Sequence, residues 1–247
     1  VVPPPPPTAA VEIRDLYEDF GQMAEAVERR SRYLRDFAAA VSHEFKTPLA
    51  GIQGAVELLQ DHGDDMEPDQ RRRFLGNIDA DARRLADLVT RLLDLARADM
   101  ARPEAGAAVD LRPVVARIAD ALSAGLKIRV DLPDGLPLVA VPEASLEMAL
   151  TILLENSRQL GATDVEIAAQ ADDDQFRLTV SDNGPGVAEG DAKRIFEPFF
   201  TTRRSEGGAG LGLSIAQALL RANRANLALV KTRGGATFEL LLPRSDD

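Results

Sequence analysis

Cysteine and tryptophan are absent, and histidine occurs twice in 247 residues. Without cysteine there is no disulfide, no thiolate metal site and no thiol nucleophile. Two histidines argue against a multi-histidine metal centre. Aromatic residues are only 4%, so any core must be built from Leu, Val, Ile and Ala. Positive charge is also short: 29 Lys and Arg stand against 40 Asp and Glu, a net charge of −11. That balance argues against a protein that binds nucleic acid or an anionic membrane mainly by charge. No apolar run reaches the roughly 18 residues of a membrane-crossing helix. The start, Val1-Val2-Pro3, lacks the basic stretch and apolar centre of a signal peptide, and it reads as the edge of something longer. What remains is an ordinary globular mixture, 45% hydrophobic and 28% charged, with room for one to three domains.

The chain reads as two unlike halves. Pro3 to Pro7 is an extended connector. From Val11 to about Gln60 the pattern is helical. Leu16, Phe20, Met23, Val27, Arg30, Leu34, Phe37 and Val41 fall at alternating steps of four and three, all apolar except Arg30, which is a coiled-coil seam. Beyond it Val41, Phe45, Leu49, Ile52, Val56 and Leu59 share one face. Asp61 to Pro68 is a turn, with Pro68 suited to a first helical turn. A second helix follows, from about Asp69 to Asp99, with Phe74, Ile78, Leu85, Leu88, Leu92 and Leu95 on its apolar side. One such hairpin has too little core to stand alone, so a homodimer forming a four-helix bundle is expected. Arg102 to Val109 reads as a linker.

After it the texture changes. Helices are expected over Pro113–Ala124, Pro142–Leu160 and Leu211–Asn223. Strands are expected over Lys127–Leu132, Leu136–Val141, Val165–Ala169, Gln175–Ser181, Asn226–Lys231 and Thr237–Leu242, with Asp172-Asp173-Asp174 as a hairpin turn. Adjacent strands with segregated helices imply an α+β sandwich, not a doubly wound parallel sheet.

His43 stands out on the first helix. With Val41 at 0°, the apolar face centres near 40° and His43 lies near 200°, in a stripe with Thr47, Ala50 and Gly54. A histidine is thus turned to solvent among small residues that leave room for another protein. Glu44 can accept a ring proton and raise the nucleophilicity of the imidazole. Thr47, one turn on, can hold a water. Pro48 bends, loosens or ends the helix.

In the second half, Asp182 continues the inward row Phe176, Leu178 and Val180. A buried carboxylate needs partners, and a ligand amino group is one. Gly184 and Gly186 in Asn183-Gly184-Pro185-Gly186 permit close approach. Gly207-Gly208-Ala209-Gly210-Leu211-Gly212 opens a helix, whose N-terminal amides suit phosphate. Asn156 lies at the edge of its helix's apolar stripe, where an amide oxygen can ligate Mg2+ or simply be a satisfied core group.

Ser42-His43-Glu44-Phe45-Lys46-Thr47-Pro48-Leu49 resembles the H-box of sensor histidine kinases. Asn156, then Asp182-Asn183-Gly184-Pro185-Gly186, then Ile195 to Arg203, then Gly208 to Ser214 resemble the N, G1, F and G2 boxes of the ATPase domain of that family. Gly235-Ala236-Thr237-Phe238 resembles its last box. The resemblance implies residues 1–30 as connector and end of a HAMP-like helix, and 31–101 as a dimerisation and phosphotransfer hairpin. It implies 102–109 as linker and 110–247 as a Bergerat-type α/β sandwich that binds ATP with Mg2+. It gives His43 as phosphoacceptor with Glu44 as base and Thr47 supporting dephosphorylation. Asp182 would take the adenine amino group, with Thr237 near adenine, and Asn156 the Mg2+. Gly184 and Gly186 would admit the nucleotide. Arg203 would contact the γ-phosphate, and Gly208, Gly210, Leu211 and Gly212 would line the lid and phosphates. Ile152, Gln159 and Leu160 depart from the N-box, where the family has an Asn, a basic residue and His or Tyr. Weak nucleotide affinity or slow turnover is therefore expected. The implied activity is autophosphorylation of His43 and transfer to an Asp of a response-regulator receiver domain, in the cytoplasmic part of a bacterial inner-membrane sensor. The alternatives are a non-catalytic receiver-binding scaffold and a gyrase-like or chaperone-like ATPase, the latter leaving the H-box unexplained.

Overall fold

The structure, a computed structural model, describes residues 11–101, 103, 106–171, 176–204, 208–230 and 234–245. The proline run, the Asp172-Asp173-Asp174 turn and Gly207 lie outside the described residues. The chain divides into two units, Val1–Arg83 and Arg84–Asp247.

The first unit is helical. α1 spans Val11–His62 and α2 spans Pro68–Met100, entering the second unit at Arg84. α1 passes through Pro48 unbroken. That proline has no N–H, so it cannot itself donate the usual helical bond back along the helix. The hairpin turn closes with Asp65 N–H donating to His62 O at 3.1 Å. Pro68 opens α2 as expected, and the amides of Gln70 and Arg71 bond Glu67 O. Gly51 of α1 lies against the Asp81 carboxylate of α2, where a Cβ would collide with it. The buried stripe of α1 is Glu44, Pro48 and Ala55, flanked by half-buried Val41, Phe45, Ile52 and Leu59. It is rotated from the expected face. Leu49 and Val56 remain 47% and 36% exposed, because one neighbouring helix covers only part of a broad apolar arc. Leu16, Phe20, Met23, Val27 and Leu34 of the seam are exposed too. Arg30, the charged seam position, stacks its guanidinium over Tyr33 at 5.7 Å, which partly offsets the loss of an apolar contact.

The second unit carries α3 (Leu111–Leu122), β1 (Lys127–Asp131), α4 (Glu143–Gln159), β2 (Asp164–Ala171), β3 (Phe176–Asp182), α5 (Gly212–Ala222), β4 (Asn226–Val230) and β5 (Thr237–Leu242). Asp110 caps α3 by accepting from Arg112 N–H at 2.9 Å. Arg117 of α3 pairs with Glu147 and Glu143 of α4, and these carboxylates raise its pKa further, Glu147 foremost. The sheet order is β1-β2-β3-β5-β4, parallel between β1 and β2 and antiparallel elsewhere. The β1–α4–β2 connection supplies the length a parallel pair requires. Alternation along β3 and β5 sends Phe176, Leu178, Val180, Phe238, Leu240 and Leu242 into the core beside Leu146, Leu150 and Leu153 of α4. The opposite face is polar, with Arg177 paired to Glu239 at 3.2 Å. Each fully buried side chain of this size contributes roughly 1.5–3 kcal/mol, more than a cap at about 1 kcal/mol, so the apolar layer dominates.

One expected strand does not form. Leu136–Val141 contributes only a bridge at Val139, to Val109 and Arg244. Pro137 within the segment and Pro142 just after it have no backbone donor, which keeps the pairing short, and the amides of Val139 and Ala140 donate to Val109 O and Pro243 O. β1 pairs with β2 instead.

Candidate functional site

The first unit presents the imidazole. His43 is exposed, as are Thr47 and Ala50, while Glu44 next to it is only 5% exposed and Pro48 is buried. The 100° step between consecutive helical residues separates the two: His43 falls on the open side and Glu44 on the covered one. The Thr47 hydroxyl donates back to the His43 carbonyl at 3.4 Å, so its oxygen stays one turn from the ring on the same exposed stripe.

The second unit gathers the other cluster around the end of β3. Asp182 Oδ1 accepts from Gly184 N–H at 2.9 Å and from Ala236 N–H at 3.1 Å. Its Oδ2 accepts from the Ser157 hydroxyl of α4 at 3.0 Å. Its backbone N–H donates to Ala236 O at 2.9 Å. Three segments far apart in sequence therefore converge on one carboxylate. Gly235 makes this possible: its φ is +136°, and a Cβ there would overlap the Asp182 carbonyl oxygen. Gly186, at φ +75°, lies against Gly235, with its would-be Cβ 2.8 Å from the Gly235 carbonyl oxygen. Gly235→Ala is therefore expected to cost at least about 2 kcal/mol, through strain and overpacking together, read as a lower denaturant midpoint with an unchanged slope.

Asn183 is turned away from this cluster. Its side chain accepts from the amides of Thr163 and Asp164 and ties β3 to the start of β2. The Thr237 side chain is likewise not brought to the carboxylate. Strand alternation puts it on the polar sheet face, where its hydroxyl donates to Ser181 Oγ at 3.0 Å. It is the backbone of Gly235 and Ala236 that reaches Asp182. Sequence reasoning missed this, as it missed Ser157. The signal for Ser157 was present: a hydroxyl on the stripe of Leu146, Leu150 and Leu153 must find a partner inside.

Asn156 is half-buried on α4, with no side-chain hydrogen bond among the described residues. Gly208 N–H donates to Arg203 O at 3.1 Å, and Phe199 N–H to Gly210 O at 2.8 Å, so the segments on either side of residues 205–207 lie together. Gly210, at φ +67°, has no space for a Cβ, which would lie 2.6 Å from the Phe200 carbonyl. Arg203 reaches α4, its guanidinium donating to Gln159 Oε1 at 3.4 Å. Buried Leu211 and then Gly212 open α5, whose first turn has no side-chain cap. Ile152 fills the space beside Gly212, its methyl 3.2 Å from where a Cβ would stand. An apolar side chain thus supports the glycine loop at the place where the N-box pattern has an amide.

No group of three or more His, Cys, Asp or Glu residues suited to a metal occurs among the described residues. Mg2+ needs none: it keeps several waters and takes one or two protein oxygens plus substrate phosphates. The unengaged Asn156 amide fits that modest demand.

A family described as "His Kinase A (phospho-acceptor) domain" matches residues 33–101, and one described as "Histidine kinase-, DNA gyrase B-, and HSP90-like ATPase" matches 142–246. The signal transduction histidine-protein kinase BaeS of Escherichia coli is 32% identical over 98% of this chain and 53% of its own length. The sensor-like histidine kinase SenX3 of Mycolicibacterium smegmatis is 33% identical over 86% of this chain and 58% of its own. The chain thus spans about half the length of these relatives. Full-length ShkA in complex with AMPPNP superposes with a TM-score of 0.61 at 30% identity, over 86% of this chain and 46% of that one. Histidine kinase ThkA in complex with the response regulator protein TrrA gives 0.68 at 20% identity, over 90% and 66%, a likeness of fold. With an H-box hairpin followed by a glycine-lined α/β sandwich, the chain belongs to the sensor histidine kinases of two-component systems.

Proposed function

We propose that this chain is the catalytic part of an ATP-dependent protein-histidine kinase. An imidazole nitrogen of His43 attacks the γ-phosphorus of ATP, the bond to the ADP oxygen breaks, and the ring proton passes to Glu44. The phosphoryl group then moves to an aspartate of a receiver domain, which docks beside His43, Thr47, Ala50 and Gly54. The observation that carries this reading is the exposure of His43 on a turn whose neighbours Glu44 and Pro48 are buried. In-line phosphoryl transfer needs little covalent help, so positioning and charge stabilisation carry the rate. Asp182 takes the exocyclic amino group of adenine. Arg203, reaching the C-terminal turn of α4, contacts the terminal phosphate. Asn156 holds Mg2+, which when bound offsets phosphate charge. Thr47 orients a water for the reverse dephosphorylation.

The exposed seam and the flank at Leu49 and Val56 support a homodimer through the hairpin, closing a four-helix bundle. The longer relatives support a place in the cytoplasmic portion of a membrane sensor. A receiver-binding scaffold without kinase activity is favoured by one observation, Ile152 against Gly212 in the nucleotide half. Incubation with γ-labelled ATP and a panel of receiver domains separates the two. We expect acid-labile label on the chain, passing rapidly to one receiver. A chain that binds a receiver yet acquires no label would leave the scaffold.

A further inference from the structure

The two oxygens of Asp182 are in unequal states. Oδ1 accepts from two amides, Gly184 N–H and Ala236 N–H, which uses both of its lone pairs. Oδ2 accepts from Ser157 Oγ at 3.0 Å and keeps one lone pair. Any donor on a ligand must therefore be received at Oδ2, the oxygen that Ser157 already holds. Ser157 is 1% exposed, and its hydroxyl has a single proton with a second acceptor available, Leu153 O at 3.1 Å. Two amides on one oxygen pin that oxygen but do not fix the twist of the carboxylate. A third donor, from α4 on the other oxygen, does.

We infer that Ser157 is a positioning residue for base selection: by donating to Asp182 Oδ2 it aims the remaining lone pair, so that the site prefers a purine with an amino group at position 6 to one with a carbonyl there. This rests on the reading of Asp182 as the purine contact. A 6-amino purine offers its N–H to that lone pair. A 6-oxo purine offers an acceptor to an acceptor and must shift to bring its ring N–H to Oδ2. A clamped carboxylate resists the shift, and a loose one follows it.

The test compares ATP with inosine triphosphate, which carries the carbonyl, by direct titration of the chain, Ser157→Ala and Ser157→Cys. Ser157→Ala is expected to weaken ATP about three- to tenfold, the worth of one ordinary hydrogen bond, and to leave inosine triphosphate within about twofold, so the preference for ATP shrinks. Ser157→Cys, a weaker donor of similar size, should fall between. Should the alanine variant fail to fold, the cysteine variant against the unaltered chain gives the same comparison. Equal weakening of both nucleotides, or no change in either, would mean that Ser157 serves packing alone and would overturn the inference. Binding of ATP by Asp182→Asn as tightly as by the unaltered chain would instead overturn the underlying reading of the pocket, and this inference with it.

Discussion

His43→Gln is expected to abolish covalent labelling by γ-labelled ATP while leaving nucleotide binding intact. The chain has two histidines and no cysteine, so few nucleophiles can replace the lost ring. His62, the other histidine, ends the same helix, about 28 Å further along at 1.5 Å per residue. A group that must sit in line with the γ-phosphorus cannot be replaced from that distance. Glutamine keeps the polarity of the exposed stripe and the helix propensity, so α1 and its buried face should be undisturbed. The measurement is acid-labile label on the protein against nucleotide affinity by titration. Label retained at the level of the unaltered chain would place the phosphoacceptor elsewhere and remove the main support for the kinase reading.

Asp182→Asn should weaken ATP binding by about two orders of magnitude with little loss of stability. The asymmetry of the carboxylate explains why the two effects separate. An asparagine oxygen can take over the place of Oδ1 and keep the amides of Gly184 and Ala236 satisfied. Its NH2 then replaces Oδ2, and Ser157 can adapt by turning its proton to the Leu153 carbonyl. The fold keeps its bonds. The ligand's amino group, however, meets a donor instead of an anionic acceptor. A charged hydrogen bond is worth about 1.5–3 kcal/mol, and a buried donor left unpaired adds a penalty of similar size. Titration with ATP and a thermal melt of the same sample read the two effects. Unchanged affinity would show that Asp182 does not face the base.

The fold was legible where its cause is local. Helical periodicity placed α1, α2 and α4, and alternation placed β3 and β5 with Asp182 on the inward phase. The missing strand at Leu136–Val141 shows the limit of that reasoning: its apolar run suggests a ladder, but Pro137 within it and Pro142 after it lack a backbone donor, and only isolated bridges at Val139 form. The buried arc of α1 shows another. The apolar residues predicted a face wider than one helix can cover, and only packing determined that Glu44, Pro48 and Ala55 would be covered while Leu49 and Val56 stayed open.

Periodicity and residue chemistry alone determined that His43 would stand on the open side of a helix. They also determined that a carboxylate would end an inward strand row and that glycines would precede a helix. Those are consequences of 3.6 residues per turn, of a strand period of two and of glycine's freedom, none of which requires a distant partner. Tertiary structure alone decided which carboxylate oxygen is left to a ligand, that Ser157 holds it, and that Gly235 and Ala236, not the Thr237 hydroxyl, complete the clamp. Those contacts join α4, β3 and the approach to β5, and they exist only because β3 pairs with β5 and α4 packs on the sheet. Sequence spacing carries no trace of such a meeting, since the chain between these segments could run in many ways before packing selects one.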